Sequence, residues 1–152
     1  MDDVDLLILR LLVQNGRMSW SDLSQRIKLS PPAAAERVKR LEERGFIRGY
    51  AAVLEREALG AGLTAFIDVD LADSSRRAEF LTLIAATPQV LECHHVTGDH
   101  DFRLKVACSN PRELDQLVSE VLKGGSVVAR TRTSVVLSSP KEALFAPPGL
   151  DA

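Results

Sequence analysis

Two stretches of this sequence hold side chains whose types and spacing could do chemistry. The first, residues 17–48, carries Arg17, Arg26, Lys28, Arg37, Lys39, Arg40, Arg44 and Arg48 against Asp22, Glu36, Glu42 and Glu43, a local excess of four positive charges. Arginine can bind guanine bidentately, glutamate can accept from cytosine N4, and an alanine methyl can touch a thymine methyl. The second is Gly98-Asp99-His100-Asp101. Backbone N–H groups and carboxylates at such a turn can hold an ammonium and a carboxylate, or the residues can simply close a tight hairpin. Cys93, His94, His95 and His100 are of types that ligate zinc or copper. Neighbours in a strand point to opposite faces, however, so His94 and His95 do not share one ion within a chain, and no metal is expected. Asp99 and Asp101 could serve as an acid–base pair, but no catalytic signature accompanies them, so no enzyme is expected.

The elements around these residues follow from periodicity. Val4, Leu7, Ile8, Leu11 and Leu12 recur at helical spacing behind a cap at Asp2 or Asp3, and Asn15-Gly16 ends that helix. Ser19 caps a short second helix with Trp20, Leu23 and Ile27 on one face; Lys28-Leu29 makes the turn. Ser30-Pro31 opens a third helix, Ala34, Val38 and Leu41 form its buried stripe, and Arg44-Gly45 closes it. Two helices joined by a short turn, the second basic, form a helix-turn-helix. Helical phase turns Pro32, Ala33, Glu36, Arg37 and Arg40 outward as base readers, and places Arg17, Ser19, Lys39 and Arg48 for phosphates. The run Ala33-Ala34-Ala35 is chemically bland, so a share of recognition is expected from DNA shape. Pattern alone leaves open a three-helix interaction module with a solvated basic face.

Phe46 to Leu54 reads as β-like, and Gly60-Ala61-Gly62 as a boundary. Beyond it come a strand (63–71), a helix (75–87) with Phe80, Leu81 and Ile84 inward, and strands at 90–97 and 100–107 about Gly98-Asp99. A helix (111–123) with Leu114, Leu117, Val118 and Val121 on one face and a last strand (127–138) follow. The order β-α-β-β-α-β is the ferredoxin-like arrangement, giving an α+β chain. Expected boundaries are a head at 1–54, a linker at 55–62, a body at 63–139 and a mobile tail at 140–152. In the central hairpin, residues whose numbers sum to 197 should face each other, pairing Leu91, Cys93 and His95 with Val106, Leu104 and Phe102. Glu92 then opposes Lys105 and His94 opposes Arg103. Helices on one sheet face leave the other to be covered, so self-association is expected.

With 45% hydrophobic and 26% charged residues the chain is an ordinary globular one. Its net charge of −2 divides unevenly: residues 1–54 hold nine Lys/Arg against seven Asp/Glu, residues 55–152 ten against fourteen. Local potential, not the whole-molecule sum, attracts a phosphate backbone. No apolar run approaches the ~20 residues of a membrane span, and Met1-Asp2-Asp3 is acidic where a secretory signal is basic. Cys93 and Cys108 are therefore read as reduced thiols in a cytosolic protein.

Asn15-Gly16-Arg17, Leu29-Ser30-Pro31, Arg37-Val38-Lys39-Arg40-Leu41-Glu42 and Gly45-Phe46-Ile47-Arg48-Gly49-Tyr50 resemble the head of the leucine-responsive/asparagine regulator (Lrp/AsnC, feast-famine) family. Val96-Thr97-Gly98-Asp99-His100-Asp101-Phe102 and Thr131-Arg132-Thr133-Ser134-Val135-Val136-Leu137 are similar to its effector-domain signature. The resemblance covers residues 2–141. It implies a transcription regulator that binds double-stranded DNA, forms homodimers and octamers, and takes no cofactor beyond a free amino-acid effector. Carried over by position, the effector candidates are Gly98, Asp99, Asp101, Thr133, Ser134 and Val135. The alternative is an effector-binding or scaffold protein of the same fold that has lost DNA binding. Two residues depart from the family pattern. Lys28 stands where the turn often has glycine, at a cost of ~1 kcal/mol if φ is positive there. Ser24 replaces an alanine at the helix crossing, which should loosen packing.

Overall fold

The computed structural model describes residues 1–145 and 147 and divides the chain into two compact units. One contains Met1–Val53 and the described residues from Lys141; the other is Leu54–Pro140. Part of the expected mobile tail, residues 146 and 148–152, lies outside the described residues.

The first unit is three helices: α1 (Asp3–Gln14), α2 (Trp20–Ile27) and α3 (Pro31–Glu43). Each opens on a side-chain cap that satisfies a free helix N–H. Asp2 accepts from the Asp5 amide while Asp5 accepts in return from the Asp2 amide; Ser19 and Ser30 cap α2 and α3. Ile8, Leu11, Leu23, Ile27, Ala34, Val38 and Leu41 close into one core. Lys28 ends α2 with φ 55° and ψ 44°, the left-handed conformation in which a Cβ is strained. Ser24 is buried, but its hydroxyl donates to the Ser21 carbonyl (2.8 Å), so the substitution leaves no unmet polar group.

Among the described residues, none between Glu43 and Leu63 forms a strand, which corrects the β-like reading of Phe46 to Leu54. Gly45 (φ 73°) turns the chain back after α3, and the Tyr50 hydroxyl donates to Glu42 (2.9 Å). Apolar alternation without a neighbouring ladder does not make a strand.

The second unit is a four-stranded antiparallel sheet of order β2-β3-β1-β4, formed by β1 (Leu63–Leu71), β2 (Val90–His95), β3 (Phe102–Cys108) and β4 (Val128–Val135). Ser74–Arg76 is a 3₁₀ turn leading into α4 (Arg77–Ala85); α5 (Pro111–Gln116) widens into a π-turn, Leu117–Leu122. The core joins Ala65, Ile67, Val69, Phe102, Leu104 and Val106 of the sheet to Phe80, Ile84, Leu114, Leu117 and Leu122 of the helices. The rings of Phe80 and Phe102 lie 4.8 Å apart.

Four sequence expectations are corrected here. Leu81 is exposed while Phe80 and Ile84 are buried. The π-turn shifts the helical phase, so Leu122 is buried and Val121 is exposed. Gly124 follows it because a Cβ there would stand 1.9 Å from the Glu120 carbonyl oxygen. In the hairpin, the pairs from His95↔Phe102 to Glu92↔Lys105 follow the expected register, but an irregularity at Leu91 sets Val90 against Val106 and leaves Leu91 exposed. The connection is also longer than a two-residue turn: Val96 donates to the Asp101 carbonyl across it.

Candidate functional sites

In the first unit, the solvent face of α3 is the candidate DNA interface. Pro32, Glu36, Lys39 and Arg40 are exposed on it, opposite the buried Ala34, Val38 and Leu41. Ala33 is half-buried at its edge. Lys39 reaches Glu43 at 3.7 Å, one turn on, with both ends well exposed; such a pair is weak and opens readily. Arg40 and Glu36 make no ion pair among the described residues. Arg17, Ser19 and Arg48 are exposed, as phosphate contacts require.

Arg37 is the correction. Its Nη1 donates to both Asp2 oxygens (2.9 and 2.8 Å) and to Asp5 Oδ1 (2.8 Å), and its side chain is 23% exposed. These bonds raise its pKa and lower that of Asp2. Arg37 stands roughly 60° round from the centre of the buried stripe, on the shoulder facing α1 rather than on the outer face. It is therefore not a free base reader. Its partners at the chain's start gave the periodicity no sign of themselves.

In the second unit, the sheet face away from α4 and α5 is covered largely with charge. Arg103 donates to both Asp68 oxygens (2.7 and 3.1 Å); Asp70 accepts from Arg130 (2.7 Å) and contacts His100 Nδ1 (2.9 Å). Glu92 meets Lys105 at 3.5 Å and His94 at 3.1 Å. The Arg103 hydrogen bonds hold the Asp68 carboxyl below its ordinary range. Burial pulls Asp70 upward, but its bonds to Arg130 and His100 outweigh that and lower it. Phe66 is the large apolar residue on this face, 38% exposed.

At the hairpin end of that face lies an open recess of about 850 Å³, lined by Asp68, His95, Thr97, Asp99, His100, Arg103, Arg132 and Ser134 with Val96. Of the effector candidates it brings together Asp99 and Ser134, with Gly98 (φ 113°) in the same loop. Asp101 is spent elsewhere: its carboxylate accepts from the Leu71 amide (2.8 Å), and its own amide donates to Val69. Thr133 and Val135 pair with Ile67 and Ala65, whose side chains face the helices. The pleat thus turns them away from Ser134. Arg103, Arg132 and Asp68 were missed, although β1's outward Asp68 and Asp70 carry the alternation that marks a charged face. Asp99 and Arg132, both lining the recess, make no ion pair among the described residues. Among the described residues no group of His, Cys, Asp or Glu is placed to hold a metal ion. Cys93 and Cys108 are free, and burial raises both thiols.

Comparison with known proteins bears on both units. Residues 1–48 match a winged helix-turn-helix DNA-binding family, and residues 64–144 match the Lrp/AsnC ligand binding domain. The chain is 39% identical over 144 residues to the proline dehydrogenase transcriptional activator of Rhizobium radiobacter, covering 93% of this chain and 92% of that protein. It is 37% identical to the leucine-responsive regulatory protein of Escherichia coli K12, covering 93% and 88%. A transcriptional regulator from Neisseria meningitidis, solved as its L-Met complex, superposes with a TM-score of 0.93 at 33% identity, over 97% of this chain and 96% of that one. This chain belongs to the Lrp/AsnC family of transcription regulators, with a helix-turn-helix DNA-binding domain followed by a ligand-binding domain.

Proposed function

We propose that this regulator reads duplex DNA with the outer face of α3 and answers to a free amino acid held in the recess of the sheet domain. The observation that carries the first half is the exposed set Glu36, Lys39 and Arg40, on the face of α3 opposite the buried Ala34, Val38 and Leu41. Arg40 reads a base edge, Glu36 takes cytosine N4 or rejects a phosphate, and Pro32 and Ala33 give apolar contact. Lys39, Arg17, Ser19 and Arg48 set register on phosphates. For the second half, Asp99 offers a partner for an ammonium and Arg132 one for a carboxylate, with Ser134 beside them. The L-Met bound to the Neisseria meningitidis relative supports that ligand class.

Two-fold operators are read by two-fold dimers, so the functional unit is a homodimer, built further into octamers. With the open sheet face charged, Leu54, Leu59 and Leu137 are exposed apolar residues of the second unit that support self-association. The captive Arg37 favours one other reading, a ligand-binding scaffold that has lost DNA binding. Footprinting of the purified protein on its own upstream region, with and without each amino acid, decides. Protected half-sites a helical turn apart that change with one amino acid support the proposal; no protection under any condition supports the scaffold.

A further inference from the structure

The head holds one arrangement that docking α3 on DNA does not account for. The Arg37 guanidinium binds three carboxylate oxygens from residues 32 and 35 positions away in sequence. Asp2 and Asp5 are also the two halves of the box that starts α1, so the same pair of carboxylates begins one helix and holds another. The Asp5 side chain is only 14% exposed, and withdrawing Arg37 would leave it half-buried without its cation. The rest of α3 meets the head through Ala34, Val38 and Leu41. Apolar contacts of that kind are non-directional and tolerate small rotations. Charge-assisted hydrogen bonds are directional and do not.

We infer that Asp2, Asp5 and Arg37 form a clamp that sets the angle of α3 on the head, so that Arg37 is a positioning residue acting on DNA through Arg40 and Glu36. The inference rests on the head binding DNA. Its rival is that the ion pairs open and Arg37 contacts DNA directly. The two differ in sign for one substitution. Asp5→Asn removes one of the three carboxylate contacts, leaving Arg37 held by Asp2 alone, and adds a unit of positive charge, so direct contact requires tighter binding. The clamp requires the opposite, because α3 loses its fixed angle.

The test uses the full chain, its own upstream duplex and an unrelated duplex of equal length, with affinity followed by fluorescence anisotropy between 50 and 200 mM salt. Circular dichroism confirms that each variant is folded at the assay temperature. The clamp predicts that Asp5→Asn and Arg37→Ala each lower the ratio of specific to unrelated affinity by about tenfold, and that the double variant is no worse than either. The slope of log affinity against log salt stays at the wild-type value in Arg37→Ala. Asp2→Asn, at an exposed residue that supplies two of the three contacts, gives a loss of the same sign and keeps the test available if Asp5→Asn does not fold. Tighter binding by either Asp variant, or a slope lower by about one in Arg37→Ala, overturns the clamp and makes Arg37 a contact residue. A wild-type chain that binds neither duplex overturns the DNA-binding reading and the clamp together, whereas a binding wild type with indifferent variants overturns the clamp alone.

Discussion

The helix face of the head and the open sheet face of the body are both rich in charge, yet they dispose of it differently. On α3, Arg37 is tied to Asp2 and Asp5, while Arg40 and Glu36 on the outer face make no ion pair among the described residues. On the sheet, Arg103, Arg130 and Lys105 each lie against a carboxylate of a neighbouring strand. A polyanion needs an excess of accessible cation on one face. A face whose charges are matched across strands lacks that excess; it offers fixed hydrogen-bonding groups and, at its hairpin end, Asp99 and Arg132, to which we assign the proposed effector. The distribution of partners, more than the number of charges, separates the two surfaces.

The separation breaks most visibly if either core is opened. Leu104→Ala in the sheet core or Ile8→Ala in the head, both fully buried, should each cost about 2–5 kcal/mol in urea unfolding. Next in size, Arg40→Ala should weaken specific DNA binding by about 1–3 kcal/mol. Arg103→Ala, on the matched face, should leave DNA affinity unchanged; an equal loss in both would erase the distinction between the faces. Lys28→Gly relieves the left-handed backbone at the end of α2 and should stabilise the head by about 1 kcal/mol, read as a higher denaturation midpoint. The smallest effect concerns acid. Glu113, hydrogen-bonded by the Ser109 hydroxyl and amide and by Gln89, has its pKa lowered to about 2. A carboxylate lowered on folding contributes stability above its unfolded value of ~4.3, and loses it as pH falls toward the folded one. Between those two values Glu113→Gln should therefore show a shallower decline of the body's urea midpoint than wild type.

What was legible in the sequence was periodic or local. The caps at Ser19 and Ser30, the stripe Ala34-Val38-Leu41, the alternation of β1 and the hairpin pairs from Glu92 to His95 all follow from spacing, and the structure has each of them; of the two candidates Asp2 and Asp3 for the first cap, it has Asp2. The strain at Lys28 was legible too, since the family's glycine marks a backbone that a side chain dislikes. What failed was non-local or irregular. Nothing near Arg37 signals carboxylates more than thirty residues earlier, and the irregularity at Leu91 and the π-turn at Leu117–Leu122 change phase without a proline or glycine inside them. The effector candidates suffered from the same limit. Ser134 and its neighbours Thr133 and Val135 are adjacent in sequence but divided by the pleat, while Asp68, Arg103 and Arg132 come from three strands to one face.

The central claim, that the outer face of α3 meets DNA through cations left free there, is tested most directly by the salt dependence of Arg40→Ala against wild type on the chain's own upstream duplex. The account predicts a linear fall of log affinity with log salt in the wild type. The Arg40→Ala line should lie below it at every salt concentration. Wild-type binding indifferent to salt, or an Arg40→Ala line that coincides with the wild-type one, would contradict it.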